Sequence, residues 1–102
     1  MNKSETIAPD ARLISNKRSA ACELEGEIVI LNLDSGVYFG LNAVGATIWE
    51  YLQSEHSAGE IVDRLLVEYH VDRERCESEV YALLRSLAAH GLIDISVNEK
   101  AA

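Results

Sequence analysis

The chain has few cysteines, the residues that cross-link many small proteins through disulfides. Its 102 residues include only two cysteines, Cys22 and Cys76, which lie far apart and form no CxxC pattern. Two such cysteines allow either a disulfide or two free thiols, and we expect reduced thiols. Cys76 falls on the apolar stripe of a predicted helix, which indicates a core residue. One domain of this length buries enough surface to fold without a disulfide.

Long apolar runs are missing as well. The opening stretch MNKSETIAPDARLI lacks the apolar run of a signal peptide. No segment approaches the roughly 18 apolar residues of a membrane span. These absences predict a cytoplasmic protein without a membrane partner.

Positive charge is scarce throughout. The formal net charge is −8, and from residue 37 onward there are 5 basic against 11 acidic side chains. An acidic surface repels a phosphate backbone, so the composition argues against nucleic acid as a partner. It is compatible with a neutral or basic peptide.

Residues arranged for catalysis or metal binding are also lacking. His56, His70 and His90 lie at predicted helix ends or in a loop, and none has a second ligand at metal-binding spacing. There is no GxSxG motif, no glycine-rich phosphate loop and no paired-carboxylate motif. The mixed charges of residues 72–79 are interpreted as the solvated first turns of a helix. We therefore expect a binding module rather than an enzyme, with no metal and no cofactor.

Three short strands are predicted after a polar start. Residues 1–16 contain the only proline and are expected to form a flexible N-terminal arm. The segments CELEG, EIVILNLD and VYFGL follow, separated by Gly26 and by Asp34-Ser35-Gly36. The latter suits a tight turn with glycine in the left-handed region. The pattern predicts a three-stranded antiparallel meander.

Three helices are predicted after the strands. Asn42 is a good N-cap for the first, Ser57 begins a capping box for the second, and Asp72 caps the third. Gly91 is expected to end the third helix in the C′ position, with Leu92 to Val97 as a short extended segment.

The predicted fold class is therefore α+β and winged-helix-like, a three-stranded antiparallel sheet followed by three α-helices. The domain is expected to span residues 17–97, with a disordered C-terminal tail at 98–102.

The strand 37–41 is predicted to form an unprotected sheet edge. It has no lysine, proline or bulge of the kind that usually blocks edge pairing. A period of two places Val37, Phe39 and Leu41 on the core face, with Tyr38 and Gly40 opposite. Tyr38 is either a half-buried cross-strand residue or a ligand contact. Either a helix covers this edge, or an extended peptide binds there as an added strand.

The third helix offers a second wall for such a peptide. Val80, Leu83, Leu84 and Leu87 are predicted to face the core. On one flank of that stripe, Glu77, Tyr81, Arg85 and Ala88 form a mixed aromatic, charged and small surface. This flank is either ordinary surface or the lining of a groove beside the edge strand.

Two segments carry a family resemblance. GEIVILNLDSGVYFGLNAVGATIWEYL and SAGEIVDRLLVEYHVDRERCESEVYALLRSLAAHGLI resemble the PqqD-like proteins, RiPP recognition elements that bind the leader of a ribosomally made precursor peptide. The match covers about residues 20–93. Within the family, the chain is most similar to the stand-alone leader-binding proteins of lasso-peptide clusters, and also to relatives that accompany radical SAM maturases.

The resemblance implies a binding mode and a partner. The leader would dock antiparallel on the third strand, in the groove against the third helix. Carried over residue by residue, the peptide-binding positions are Val37, Tyr38, Phe39, Gly40, Leu41, Glu77, Tyr81, Leu84, Arg85 and Ala88. The resemblance also implies a non-catalytic chaperone that presents the precursor to a maturation enzyme, such as a leader peptidase, a cyclase or a radical SAM enzyme.

Two alternative functions share this fold. A winged-helix DNA-binding regulator would need a basic recognition helix, yet residues 72–90 hold four acids against three arginines. A small subunit that only stabilises an enzyme partner would differ by having no affinity for a free leader.

Overall fold

The computed structural model describes residues 7–25 and 27–96. Predictions for residues 1–6, for Gly26 and for residues 97–102 lie outside this part of the chain. The elements follow in the order β1 (Arg12–Ser15), β2 (Ser19–Leu24), β3 (Glu27–Asn32), β4 (Tyr38–Leu41), α1 (Ala43–Tyr51), β5 (His56–Ser57), α2 (Ala58–Glu68), α3 (Arg73–Ala89) and β6 (Ile93–Ser96). The predicted α+β class is confirmed, and the winged-helix-like description is compatible with this arrangement.

The predicted meander is present as the sheet β2-β3-β4. All its pairs are antiparallel, and Ile30 lies opposite Phe39 while Ile28 lies opposite Leu41. The turn between β3 and β4 places Gly36 at a φ of 76°, in the left-handed region that glycine tolerates. Asn32 stabilises the same turn, because its Oδ1 accepts the amides of Asp34 and Ser35 at 2.8 and 3.1 Å.

A second three-stranded sheet, in the order β5-β1-β6, differs from the prediction. The described part of the expected arm, residues 7–16, contributes β1 to this sheet and buries Ile7, Ala11 and Leu13 in the core. The Ser15 amide also donates to the Leu52 carbonyl at 2.8 Å. The predicted boundary at residue 16 is therefore wrong, because β1 belongs to the folded domain. The sequence did not indicate it, because a strand of four residues is too short to show a period and its partners lie far along the chain.

The predicted helix starts are confirmed by their capping bonds. Asn42 Oδ1 accepts the Gly45 amide at 2.9 Å. Ser57 Oγ accepts the Glu60 amide at 3.1 Å, and the Glu60 carboxylate accepts the Ser57 amide at 2.9 Å, which completes the capping box. Asp72 accepts the Arg75 amide at 3.2 Å.

The end of α3 is a Schellman motif. Gly91 has a φ of 70°, its amide donates to Ala88, and the Leu92 amide donates to Leu87. Leu92 then leads directly into β6. The predicted C′ role of Gly91 is confirmed, and the extended segment after it is a paired strand.

One core joins the helices to both sheets. Its fully buried side chains include Leu13, Ile30, Ile48, Leu52, Ile61, Val62, Leu65, Val80, Leu84, Leu87 and Leu92. Cys76 is buried and Cys22 exposed, and both are free thiols. Within the described ranges, no helix combines the length and the apolar character needed to cross a membrane.

Candidate functional site

β4 is an edge strand with unused backbone groups. It pairs with β3 on one side, and no other described strand pairs with it. The Asn32 amide donates to the Val37 carbonyl at 2.9 Å. Because hydrogen-bonded pairs alternate in an antiparallel ladder, Phe39 and Leu41 direct their backbone groups to β3. The amides and carbonyls of Tyr38 and Gly40 therefore point away from the sheet.

An open groove of about 860 Å³ lies along this edge. We call it the β4–α3 groove, because β4 and α3 form its long walls. The start of α1 and the segment that follows α2 complete it. Its apolar lining comprises Phe39, Leu41, Val44, Ile48, Leu65, Tyr69, Val71, Cys76, Val80, Ala82 and Leu83. Such a mixture of aliphatic and aromatic side chains suits an apolar side chain of an extended ligand.

The polar residues that line the groove are Asn42, Tyr69, His70, Asp72, Arg75 and Glu79. Arg75 and Glu79 line it and form an ion pair at 3.2 Å, with both side chains mostly exposed. An exposed pair of this kind contributes little to stability. Thr47 and the groove residue Tyr69 share a hydrogen bond at 3.3 Å between their hydroxyl oxygens. The groove therefore presents an apolar interior with a small charged margin.

The thiol of Cys76 lies in the groove wall and is unsuited to nucleophilic chemistry. Burial raises its pKa most, and the carboxylate of Glu79 raises it further. Arg73 opposes them with a smaller effect, and Glu77 raises the pKa least. A thiol with a raised pKa stays neutral and unreactive at neutral pH. Cys76 acts here as a packing residue, in agreement with its place on the apolar stripe.

The ten predicted site residues do not all lie at one site in the structure. Phe39, Gly40 and Leu41 line the β4–α3 groove, and Tyr38 belongs to the same strand with 70% of its surface exposed. Val37 precedes the strand and is 47% exposed, so its predicted place on the core face is corrected. Val37 belongs to the connection between β3 and β4 rather than to the strand, so the alternation of the strand does not extend to it.

The predicted helix positions lie away from β4. Glu77, Tyr81 and Arg85 line a different depression, together with Ile7 and Pro9. Leu84 has no exposed surface, and Ala88 is half-buried against the core. This flank of α3 faces α2, as the 3.0 Å ion pair between Arg73 and Asp63 shows, and it borders the N-terminal segment through Ile7 and Pro9.

The flank of α3 that does face the groove is formed by other residues. Arg75, Glu79, Ala82 and Leu83 line it, at successive spacings of four, three and one. These positions lie on the opposite side of the stripe made by Cys76, Val80, Leu84 and Leu87. Both flanks have similar composition, so sequence periodicity alone offers no signal that distinguishes them.

Comparisons with known proteins identify the family. The PqqD family model, described as coenzyme PQQ synthesis protein D, matches residues 27–93. A solved structure of TbiB1 in complex with the TbiA(beta) leader peptide is 37% identical, covers 79% of this chain and 94% of that chain, and superposes with a TM-score of 0.72. Lasso peptide synthetase B1 complexed with the leader peptide is 28% identical, with coverages of 80% and 96% and a TM-score of 0.71.

A comparison with curated proteins gave no significant match. The family model nevertheless covers well over half of the chain, and the relative with 37% identity is covered almost completely. The segments that match include β3, β4 and all three described helices, which are the elements that build the β4–α3 groove. The chain therefore belongs to the PqqD family.

Proposed function

We propose that this chain is a non-catalytic chaperone that captures the leader of a precursor peptide and presents it to a maturation enzyme. The observation that carries the proposal is the unpaired backbone of Tyr38 and Gly40 beside an apolar groove. The two similar solved structures, TbiB1 and lasso peptide synthetase B1, each hold a leader peptide. An unpaired edge next to a groove is the geometry that strand addition requires.

The bound segment would lie antiparallel to β4, between that strand and α3. The 17 residues of α3 extend over about 25 Å. A peptide of about eight residues in extended form spans about 27 Å. A leader segment of this length would therefore follow the whole groove, with alternate side chains directed towards its apolar lining.

The proposed contact residues revise the helix side of the predicted site. On the strand side they are Tyr38, Phe39, Gly40 and Leu41, with Val37 as a flanking residue. On the helix side, Arg75, Glu79, Ala82 and Leu83 replace the predicted set, because they line the same groove as β4. Backbone bonds to Tyr38 and Gly40 would supply affinity that is independent of the leader sequence, and the groove would supply selectivity.

Presentation of the leader needs no chemistry from this chain. A leader held on the chaperone, with the chaperone bound to the enzyme, keeps the remaining peptide at an effective concentration that reaches the millimolar range for short flexible linkers. An interface of this small size is compatible with micromolar to nanomolar affinity. Because the precursor is made on ribosomes, we place this step in the cytoplasm.

The DNA-binding alternative is disfavoured by the charges on α3. Arg73 is paired with Asp63 and Glu77 at 3.0 and 3.2 Å, and Arg75 is paired with Glu79. These carboxylates offset two of the three arginines of α3 locally, so the described surface of the helix carries no excess of positive charge for a phosphate backbone. A recognition helix of the winged-helix type needs the opposite balance.

An NMR titration of ¹⁵N-labelled protein tests the proposal. The probe is the synthetic leader of the precursor encoded in the same gene cluster, and the control is the same peptide with a scrambled sequence. We expect shifts concentrated at residues 38–41 and 75–83. Absence of shifts at high micromolar leader contradicts leader capture and favours the alternative of a stabilising subunit, which binds only the enzyme.

A further inference from the structure

The side of the β2-β3-β4 sheet that faces away from the helices is apolar and uncovered. Residues opposite one another in the register share a face, so Val29 and Leu31 lie with their partners Cys22, Ala20 and Tyr38, and Leu24 continues the same row. We call these six residues the outer face. Leu24 is 56% exposed, and Ala20, Cys22 and Tyr38 are exposed as well. No described element covers this face.

The end of the outer face at the turn between β2 and β3 carries only negative charges. Glu23, Glu25 and Glu27 are exposed on β2, on the turn and on β3. No lysine or arginine occurs between Arg18 and Arg64 in the sequence. At the opposite end of the sheet, Arg18 is held by Asp34 at 3.0 Å. The outer face is therefore an apolar patch with an acidic margin at the turn between β2 and β3, while exposed Lys17 and Arg18 lie at the opposite end of the sheet.

We propose that the outer face docks the enzyme that processes the captured peptide, through an apolar patch bordered by lysine or arginine. The inference rests on the proposed function. An apolar centre favours burial against protein. The acidic margin favours a partner whose apolar patch is bordered by basic residues, because like charges brought together at an interface oppose association. A second copy of this chain would bring its own glutamates and net charge of −8 against the first, which disfavours self-association.

Continuity with the leader site favours this partner over an unrelated protein. Tyr38 belongs both to the outer face and to the open edge of β4. A peptide added beside β4 extends the same sheet, so alternate peptide side chains emerge next to Tyr38 on the outer face. An enzyme docked there would contact the chaperone and the bound leader at once. It would thus favour the loaded chaperone over the empty one.

Two outer-face variants test the inference. One carries Leu24→Thr and Leu31→Thr, which remove apolar surface and introduce threonine, a β-branched residue that suits strands. The other carries Glu23→Lys, Glu25→Lys and Glu27→Lys. The matched control is Val67→Thr on α2, because Val67 is 85% exposed and lies outside the sheet. The probes are the purified leader peptidase of the same gene cluster and the synthetic leader.

We expect both outer-face variants to lose at least tenfold in affinity for the peptidase, while their leader affinity stays within twofold. The control should retain both affinities. Unchanged peptidase binding in the outer-face variants, with intact leader binding, overturns the inference alone. Failure of the wild-type protein to bind the leader overturns the proposed function instead. A wild-type dimer in sedimentation equilibrium that dissociates in the Leu24→Thr, Leu31→Thr variant overturns the inference in favour of self-association.

Cysteine protection supplies a second readout on the same proteins. Cys22 lies on the outer face, and Cys76 lines the β4–α3 groove. The peptidase should slow alkylation of Cys22 by N-ethylmaleimide, and the leader alone should leave that rate unchanged. A peptidase that binds without protecting Cys22 contradicts docking at this face.

Discussion

The ring of Phe39 lies against the imidazole of His90, with ring centroids 5.2 Å apart and planes inclined by 57°. Next to this contact, Asn32 Nδ2 donates to the His90 carbonyl at 2.7 Å. The two contacts join the beginning of β4 and its hairpin to the end of α3. They therefore fix β4 against the end of α3, beside the β4–α3 groove that Phe39 also lines.

Phe39→Ala should mainly damage the fold. Phe39 is half-buried against the core, so truncation should cost about 2 kcal/mol, less than the value for a fully buried phenylalanine. In a domain of this size the midpoint of thermal unfolding should fall by about 10 °C. Urea denaturation measures the loss. The control is Tyr38→Ala, which changes an exposed residue and should leave the stability unchanged. Wild-type stability in Phe39→Ala would show that the ring serves binding rather than structure.

Gly91→Ala should be destabilising, whereas Gly40→Ala should be nearly neutral. Gly91 has a φ of 70°, and an added Cβ would lie 3.1 Å from Asn32 Nδ2, the atom that holds His90. Backbone strain and displacement of this bond should together cost about 2 kcal/mol. Gly40 has nothing within 4 Å of such a Cβ. Equal midpoints in chemical denaturation for the two variants would contradict this account of the Schellman motif.

Tyr38→Pro and Phe39→Pro should separate binding from folding. The Tyr38 amide points to the open edge, so its loss removes a donor for the leader but none for β3. The Phe39 amide faces β3, so proline there breaks the ladder. We expect Tyr38→Pro to remain folded by circular dichroism and to lose at least tenfold in leader affinity by calorimetry. Unaltered affinity in Tyr38→Pro would exclude strand addition at this edge.

Neighbouring substitutions on α3 should distinguish its two flanks. Ala82 is exposed in the β4–α3 groove, and an indole there would occupy the space proposed for the leader. Ala82→Trp should therefore reduce leader affinity at least tenfold without loss of helix content. Tyr81→Ala, one residue away, changes the opposite flank and should leave affinity within twofold. Unchanged affinity in Ala82→Trp together with weakened affinity in Tyr81→Ala would show that the leader binds the flank of Glu77 and Arg85 instead.

The two thiols should differ in reactivity and in its pH dependence. Cys22 is exposed, whereas burial raises the pKa of Cys76. Since the thiolate is the reactive form, alkylation of Cys76 should be at least tenfold slower near pH 8 and should rise only as pH increases further. Bound leader should slow it again. Mass spectrometry of timed reactions gives both rates, and equal rates would place Cys76 outside the groove wall.

Local signals were sufficient to predict the helix starts and the main sheet. Asn42, Ser57, Asp72 and Gly91 each act through bonds within a few residues, which a sequence displays directly. The second sheet has no such local signal. β5 has two residues and β1 has four, and each is stabilised by partners remote in sequence.

The strand side of the candidate site could be predicted from local sequence signals, whereas the helix side could not. Edge status of β4 follows from the order of a meander, so Tyr38 to Leu41 could be assigned from the pattern. The orientation of α3 depends on which neighbours pack against it. The depression formed by Tyr81 with Ile7 and Pro9 occupies one flank, and that packing involves a segment whose own structure was not predicted.

The pairing of β1 with β6 has a consequence for the order of folding. Arg12 lies opposite Ser96, so this ladder joins residues from near the two ends of the described chain. Closing so long a loop costs more entropy than forming the hairpins β2-β3 and β3-β4, whose partners are adjacent in sequence. The meander and the helices should therefore assemble first, with β1 docking afterwards. Since the Asn16 amide donates to the Leu92 carbonyl, the alternation of the ladder makes Ile14 and Asp94 a hydrogen-bonded pair. Amides of Ile14 and Asp94 should accordingly lose hydrogen-exchange protection before that of Ile30.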